Sequence, residues 1–152
     1  MRPRVTPARR AAFDVLYQVK NEEAYASSLL SSDRYDHLSR EDRALLQELV
    51  LGVLRWQGQL DFLIERYSRR KLAALDATLV LILRLGLYQL RFLERVPAHA
   101  AINESVNLAR ERKLSSAAPL VNASLRNAQR ELKHNLDELI LEVPEGIGRL
   151  TA

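Results

Sequence analysis

Residues 79–91, LVLILRLGLYQLR, constrain this chain more than any other stretch. Leu79, Val80, Ile82, Leu83, Leu85, Leu87 and Leu90 leave no wide polar face on a helix. A helix apolar nearly all round either spans a membrane or lies at the centre of a bundle. Arg84, Gly86, Gln89 and Arg91 interrupt the run well short of the roughly 18 to 20 apolar residues that a span needs. The stretch therefore reads as the central helix of an all-helical domain. Gly86 in a helix interior costs about 1 kcal/mol relative to Ala, which implies a close helix crossing there.

The rest of the chain supplies helices to surround it. Thr6 and Pro7 read as an N-cap and first helical residue, and Ala8, Ala12, Val15, Leu16 and Val19 recur at helical spacing to about Lys20. A short helix is expected over residues 25–31, followed by a polar loop over 32–38. Ser39, with Asp42 three residues on, has capping-box spacing. After it Leu46, Leu49, Val50, Val53, Leu60, Leu63, Ile64 and Tyr67 hold a stripe to about Arg70, with a break expected at Gly58. Asp76 offers a cap for the central helix. Pro97 separates that helix from one over 98–112, and Ser115 and Ser116 precede a last helix with Val121, Leu125, Ala128 and Leu132 inward. No segment alternates long enough for a strand. The expectation is six or seven helices in one compact all-α bundle over residues 1–134. Residues 135–152, with Pro144, Gly146 and Gly148, read as an acidic linker or a truncated connection.

The charge is unevenly placed. Net charge is +4, but beyond residue 135 there are four acids (Asp137, Glu138, Glu142, Glu145) against Arg149. The body before them holds 22 basic and 15 acidic residues, which favours a polyanionic partner. With no cysteine, disulfides, thiolate metal sites and cysteine nucleophiles are excluded. His37, His99 and His134 lack ligand spacing, the glycines form no phosphate-cradling loop, and no serine elbow is present, so no metal site, cofactor site or catalytic residue is expected in this chain. The N-terminus has basic residues but no apolar core behind them, so neither a secretory signal nor a membrane partner is expected. A cytoplasmic setting is.

Four blocks carry a resemblance: ARRAAFDVLYQV (8–19), LVLGVLRWQGQLDFLI (49–64), ILRLGLYQLRFLERVPAHAAINESVNLAR (82–110) and LVNASLRN (120–127). Together they resemble the NusB-like helical RNA-binding domain over about residues 7–133. That domain occurs alone as the antitermination factor NusB and also as the N-terminal domain of the Sun/RsmB ribosomal RNA cytosine methyltransferases. Arg55-Trp56, the AHAA after Pro97, LRN at 125–127 and AYASSLL at 24–30 are most similar to the methyltransferase branch. The resemblance implies a domain that positions ribosomal RNA for a catalytic domain using S-adenosylmethionine, with this chain itself no enzyme. The alternatives are a free-standing antitermination factor, which would bind RNA and a small-subunit ribosomal protein, and a helical protein-interaction module.

The candidate RNA contacts are Arg4, Arg9 and Arg10 at the first helix, Arg66, Arg69, Arg70 and Lys71 after Tyr67, and Arg126 and Arg130 on the last helix. The resemblance points most directly to Arg9 and Arg10, which are expected on the outer face of the first helix. For Arg66 to Lys71 a plain solvated surface is an equal reading, since cations suit a helix C-terminus. Arg84, inside an apolar run, persists only if paired. Glu104 on the next helix is its expected partner in a structural ion pair, with RNA phosphate as the alternative, and Asn103 and Asn122 are expected to join the same polar network or cap backbone. Tyr17 and Tyr88 sit in apolar stripes and are expected in the core. Trp56, after Arg55 near a break, fits either packing or base stacking.

Overall fold

The computed structural model describes residues 5–22 and 24–134; Arg4 and the acidic stretch 135–152 lie outside them. Seven α-helices account for the architecture among the described residues: α1 (Pro7–Asn21), α2 (Ala26–Leu30), α3 (Arg40–Arg55), α4 (Gln57–Ser68), α5 (Ala77–Phe92), α6 (Ala98–Glu111) and α7 (Ala118–His134). Short 3-10 turns at Asp33–Tyr35, Leu72–Ala74 and Ser115–Ala117 join them. None of the described helices is both long and apolar enough to cross a membrane.

Local chemistry sets the boundaries. Ser39 Oγ accepts from the Asp42 backbone N–H at 3.1 Å and starts α3, and Asp76 Oδ1 accepts from the Thr78 N–H at 2.7 Å and starts α5. The break between α3 and α4 falls at Trp56 (φ −102°, ψ 16°), two residues ahead of the expected Gly58. Arg69 closes α4 in the left-handed region at φ 59°. That turn ends the helix and sends the following residues outward.

The central helix behaves as its composition requires. Every residue of α5 from Leu79 to Gln89 is buried, and the helix packs on α1, α3, α4, α6 and α7. A Cβ added at Gly86 would lie 2.8 Å from both Leu125 Cδ1 and Ser105 Oγ, so glycine there lets α5 approach α6 and α7 closely. Gly52 does the same on α3, where a Cβ would sit 2.1 Å from the Tyr88 ring. These two contacts fix where α5 sits between its neighbours.

Candidate nucleic-acid interface

The first turn of α1 is tied to the interior by charge. Arg9 follows the helical phase of Phe13 and Leu16, four and seven residues on, so it points where those core residues point. Its Nε donates to Gln89 Oε1 at 2.7 Å, and its Nη1 donates to Glu104 Oε2 at 2.8 Å and to Thr6 Oγ1 at 2.9 Å. Glu104 Oε1 also accepts the Thr6 backbone N–H at 2.7 Å. An α6 carboxylate thus satisfies the N–H of the N-cap residue itself, while the Thr6 hydroxyl accepts from Arg9 and caps no first-turn N–H. The expectation that Arg9 lies on the outer face is corrected. Its side chain is only 11% exposed and its donors are committed to α1, α5 and α6.

The expected Arg84–Glu104 pair is also corrected. Arg84 donates through Nε to Asp61 Oδ1 at 2.7 Å and through Nη2 to Asp61 Oδ2 at 2.9 Å, a two-pronged bridge from α5 to α4. The partner of this buried guanidinium is a partly exposed carboxylate 23 residues earlier in the chain. Asn103 is exposed rather than part of a buried network. Asn122 accepts from Arg126 Nε at 3.1 Å, one turn along α7.

The remaining basic candidates among the described residues are all exposed. Arg10 bonds Glu111 through Nη2 at 2.9 Å, and Arg112 bonds Asp14, so the α1 and α6 surfaces are laced together. Such exposed pairs contribute about 0–1 kcal/mol and yield readily to a phosphate. Arg66 pairs with Glu131 at 2.5 Å, which sets the C-terminal ends of α4 and α7 side by side. Arg69, Arg70 and Lys71 leave α4 at that end, and Arg130 stands next to Glu131 with Arg126 one turn earlier. Arg126 and Arg130 donate to the neutral amides of Asn122 and Asn127. Arg130 is thus near the paired ends of α4 and α7, whereas Arg126 sits at the middle of α7. Arg10 lies apart from these, on the α1–α6 side.

Of the aromatic residues, Tyr88 is buried as expected, but Tyr17 is 42% exposed beside Phe13 and is not a core residue. Trp56 is half-buried, its ring stacked on Phe92 with centroids 5.2 Å apart and planes 20° apart. Packing on Phe92 stops short of enclosing the indole. The one-dimensional pattern of apolar residues gave no sign of that ring pair, because Phe92 lies at the end of α5, beyond the apolar run.

Comparison with known proteins agrees with this geometry. The NusB family model matches residues 6–130. A ribosomal RNA small subunit methyltransferase B of Pseudomonas putida is 41% identical over 131 residues, covering 86% of this chain and 28% of the relative. A probable ribosomal RNA small subunit methyltransferase B of Synechocystis is 40% identical over 124 residues, covering 81% of this chain and 28% of the relative. The chain thus spans little more than a quarter of the curated relatives it matches. Among solved structures, T. maritima NusB superposes with a TM-score of 0.74 at 23% identity, covering 91% of this chain and 99% of that one. A chain from the crystal structure of a plectonemic RNA supercoil superposes with a TM-score of 0.76 at 21% identity, covering 84% and 95%. At these identities the structures speak for the fold alone. With a family match across α1 to α7 and methyltransferase relatives at about 40% identity, the chain belongs to the NusB family.

Proposed function

We propose that this chain is an RNA-holding module that positions small-subunit ribosomal RNA for an S-adenosylmethionine-dependent cytosine methyltransferase, working in the cytoplasm. The observation that carries it is the set of exposed cations Arg69, Arg70, Lys71, Arg126 and Arg130 along α7 and at the end of α4, on a scaffold whose relatives at 36–41% identity are rRNA methyltransferases. Guanidinium and ammonium groups held on rigid helices bind phosphate oxygens, fixing register without reading sequence. Arg66 extends this basic surface by exchanging its carboxylate partner for phosphate, and Arg10 offers a separate contact on the α1–α6 side in the same way.

The methyl-transfer chemistry falls outside these residues. The glycines at 52 and 86 are helical and hemmed in by Tyr88, Leu125 and Ser105, so neither opens the backbone loop that a nucleotide cofactor needs. The described residues do not fit S-adenosylmethionine, and no step is derived through it. A free-standing antitermination role with a small-subunit ribosomal protein is the second reading; the methyltransferase relatives favour the first. Binding to small-subunit rRNA in the presence of excess transfer RNA tests the proposal. Retained binding is expected, and equal displacement by the unrelated RNA would overturn the ribosomal assignment.

A further inference from the structure

A second surface, distinct from the cations along α7 and at the end of α4, combines aromatic rings with polar edges. Where α3 gives way to α4, a cleft of about 500 Å³ opens between α3 and α5, lined by Gln47, Glu48, Leu51, Gly52, Arg55, Trp56 and Tyr88 among others. Its wall is a run of rings: Trp56 on Phe92 at 5.2 Å, and Phe92 on Tyr88 at 5.0 Å. The Arg55 guanidinium lies over the Trp56 ring, 5.3 Å from its centroid. Leu51 is 44% exposed at the rim, an uncommon position for a large aliphatic residue. The floor is Gly52, whose missing side chain lets the Tyr88 ring and hydroxyl lie against α3 at the bottom of the cleft. That hydroxyl donates no hydrogen bond among the described residues. Its pKa is raised by burial first and by the Glu48 charge second, opposed by Arg55, so it stays a phenol at neutral pH and keeps its donor.

We propose that this cleft holds one unstacked nucleobase of single-stranded RNA, stacked on Trp56 in the place the Arg55 guanidinium now takes, with that guanidinium moved out to cover the base's other face and Glu48 and the Tyr88 hydroxyl meeting its polar edge. The inference rests on the RNA-holding role proposed above. Aromatic and guanidinium planes accept any base face, so the stacking itself is tolerant of sequence. Glu48 accepts and Tyr88 donates, and a base edge presents both complements. An apolar peptide face laid on the cleft would bury both groups without partners, which disfavours a protein occupant. Trp56 precedes α4 and Arg69 closes it, so about 18 Å of helix separates the cleft from the basic end. A single strand can engage both.

The chain has a single tryptophan, Trp56, so its emission reports on the cleft alone. The experiment titrates the protein with fluorescently labelled oligouridine and oligoadenosine and with an RNA duplex, reading RNA anisotropy and tryptophan emission together. The expected result is quenching of Trp56 by the single strands with the same midpoint as the anisotropy, and binding of duplex without quenching. Trp56→Leu should weaken single-strand binding by about ten- to a hundredfold, the worth of one stacked base, while leaving the salt slope unchanged because no charge is lost. Arg55→Ala, altering an exposed side chain, should weaken it with the fold intact and the tryptophan signal retained. Single-strand binding with unchanged Trp56 emission would overturn the cleft and leave the RNA-holding role standing. No binding by anisotropy at low salt would overturn the RNA-holding role itself, and the cleft with it.

Discussion

Arg9 on α1 and Glu104 on α6 form an ion pair at 2.8 Å, with their side chains only 11% and 14% exposed. The pair joins two helices that begin 91 residues apart. Glu104 also holds the Thr6 N–H at 2.7 Å, so one carboxylate secures both the start of α1 and its first charged side chain. Removing one member of a buried pair leaves the other charge uncompensated, which typically costs about 3 to 5 kcal/mol. Arg9→Ala should therefore lower stability by that amount, a large share of the roughly 5 to 15 kcal/mol of a whole domain. Chemical denaturation followed by circular dichroism checks it. An Arg9→Ala protein as stable as the parent would return Arg9 to the RNA surface.

Arg84 and Asp61 should be energetically coupled, and Arg84 and Glu104 should not. A double-mutant cycle on Arg84→Ala and Asp61→Asn should give an interaction energy of about 1 to 3 kcal/mol. The corresponding cycle with Glu104→Gln should be additive to within about 0.5 kcal/mol. Reversed magnitudes would mean that the α4–α5 bridge is misassigned.

These two pairs show what a sequence carries and what it withholds. The apolar run of α5 dictated its central place, and Arg84 inside that run demanded an acid partner. Nothing in one dimension says which helix supplies the acid, because Asp61 and Glu104 both lie on amphipathic helices. Arg9 was recoverable: its spacing to Phe13 and Leu16 is that of one helix face, but a stripe drawn through Ala8, Ala12 and Val15 turns it outward. The basic residues along α7 and at the end of α4 lie about 60 residues apart in the chain, and only the Arg66–Glu131 pairing shows that the two helix ends meet.

Gly52→Ala should destabilise more than Gly86→Ala. The added methyl at 52 falls 2.1 Å from a tyrosine ring that is itself stacked on Phe92, so it has to displace a packed aromatic. At 86 it falls 2.8 Å from side-chain ends of Leu125 and Ser105, which can give way. Overpacking of this kind costs about 1 to 3 kcal/mol, and the expected order is read from two thermal melts. Equal melting temperatures would contradict the close approach of Tyr88 to α3.

Tyr88 should ionise after ordinary tyrosines. Burial is the larger cause, with Glu48 adding and Arg55 opposing. Because the folded value lies above the unfolded one, the unfolded chain releases its proton first as pH rises. Stability is therefore unaffected by this group below about pH 10 and falls as pH climbs from there through the folded value. In an ultraviolet titration of the five tyrosines, Tyr88→Phe should remove a component later than that of an ordinary tyrosine and flatten that alkaline loss. A titration in which the variant loses an ordinary component instead would place Tyr88 in open solvent.

If RNA is held by the exposed cations along α7 and at the end of α4, as proposed above, its affinity must depend on salt through them. Affinity for single-stranded RNA is measured across a range of salt concentrations for the parent and for a variant with Arg70, Lys71, Arg126 and Arg130 all replaced by Ala. These side chains are exposed and make no carboxylate ion pair among the described residues, so the melting curve should be nearly unchanged. Each lost phosphate contact removes about 0.7 from the slope of log affinity against log salt, so the slope should become shallower by about two to three. An equally stable variant with the parent's affinity and slope would contradict the claim.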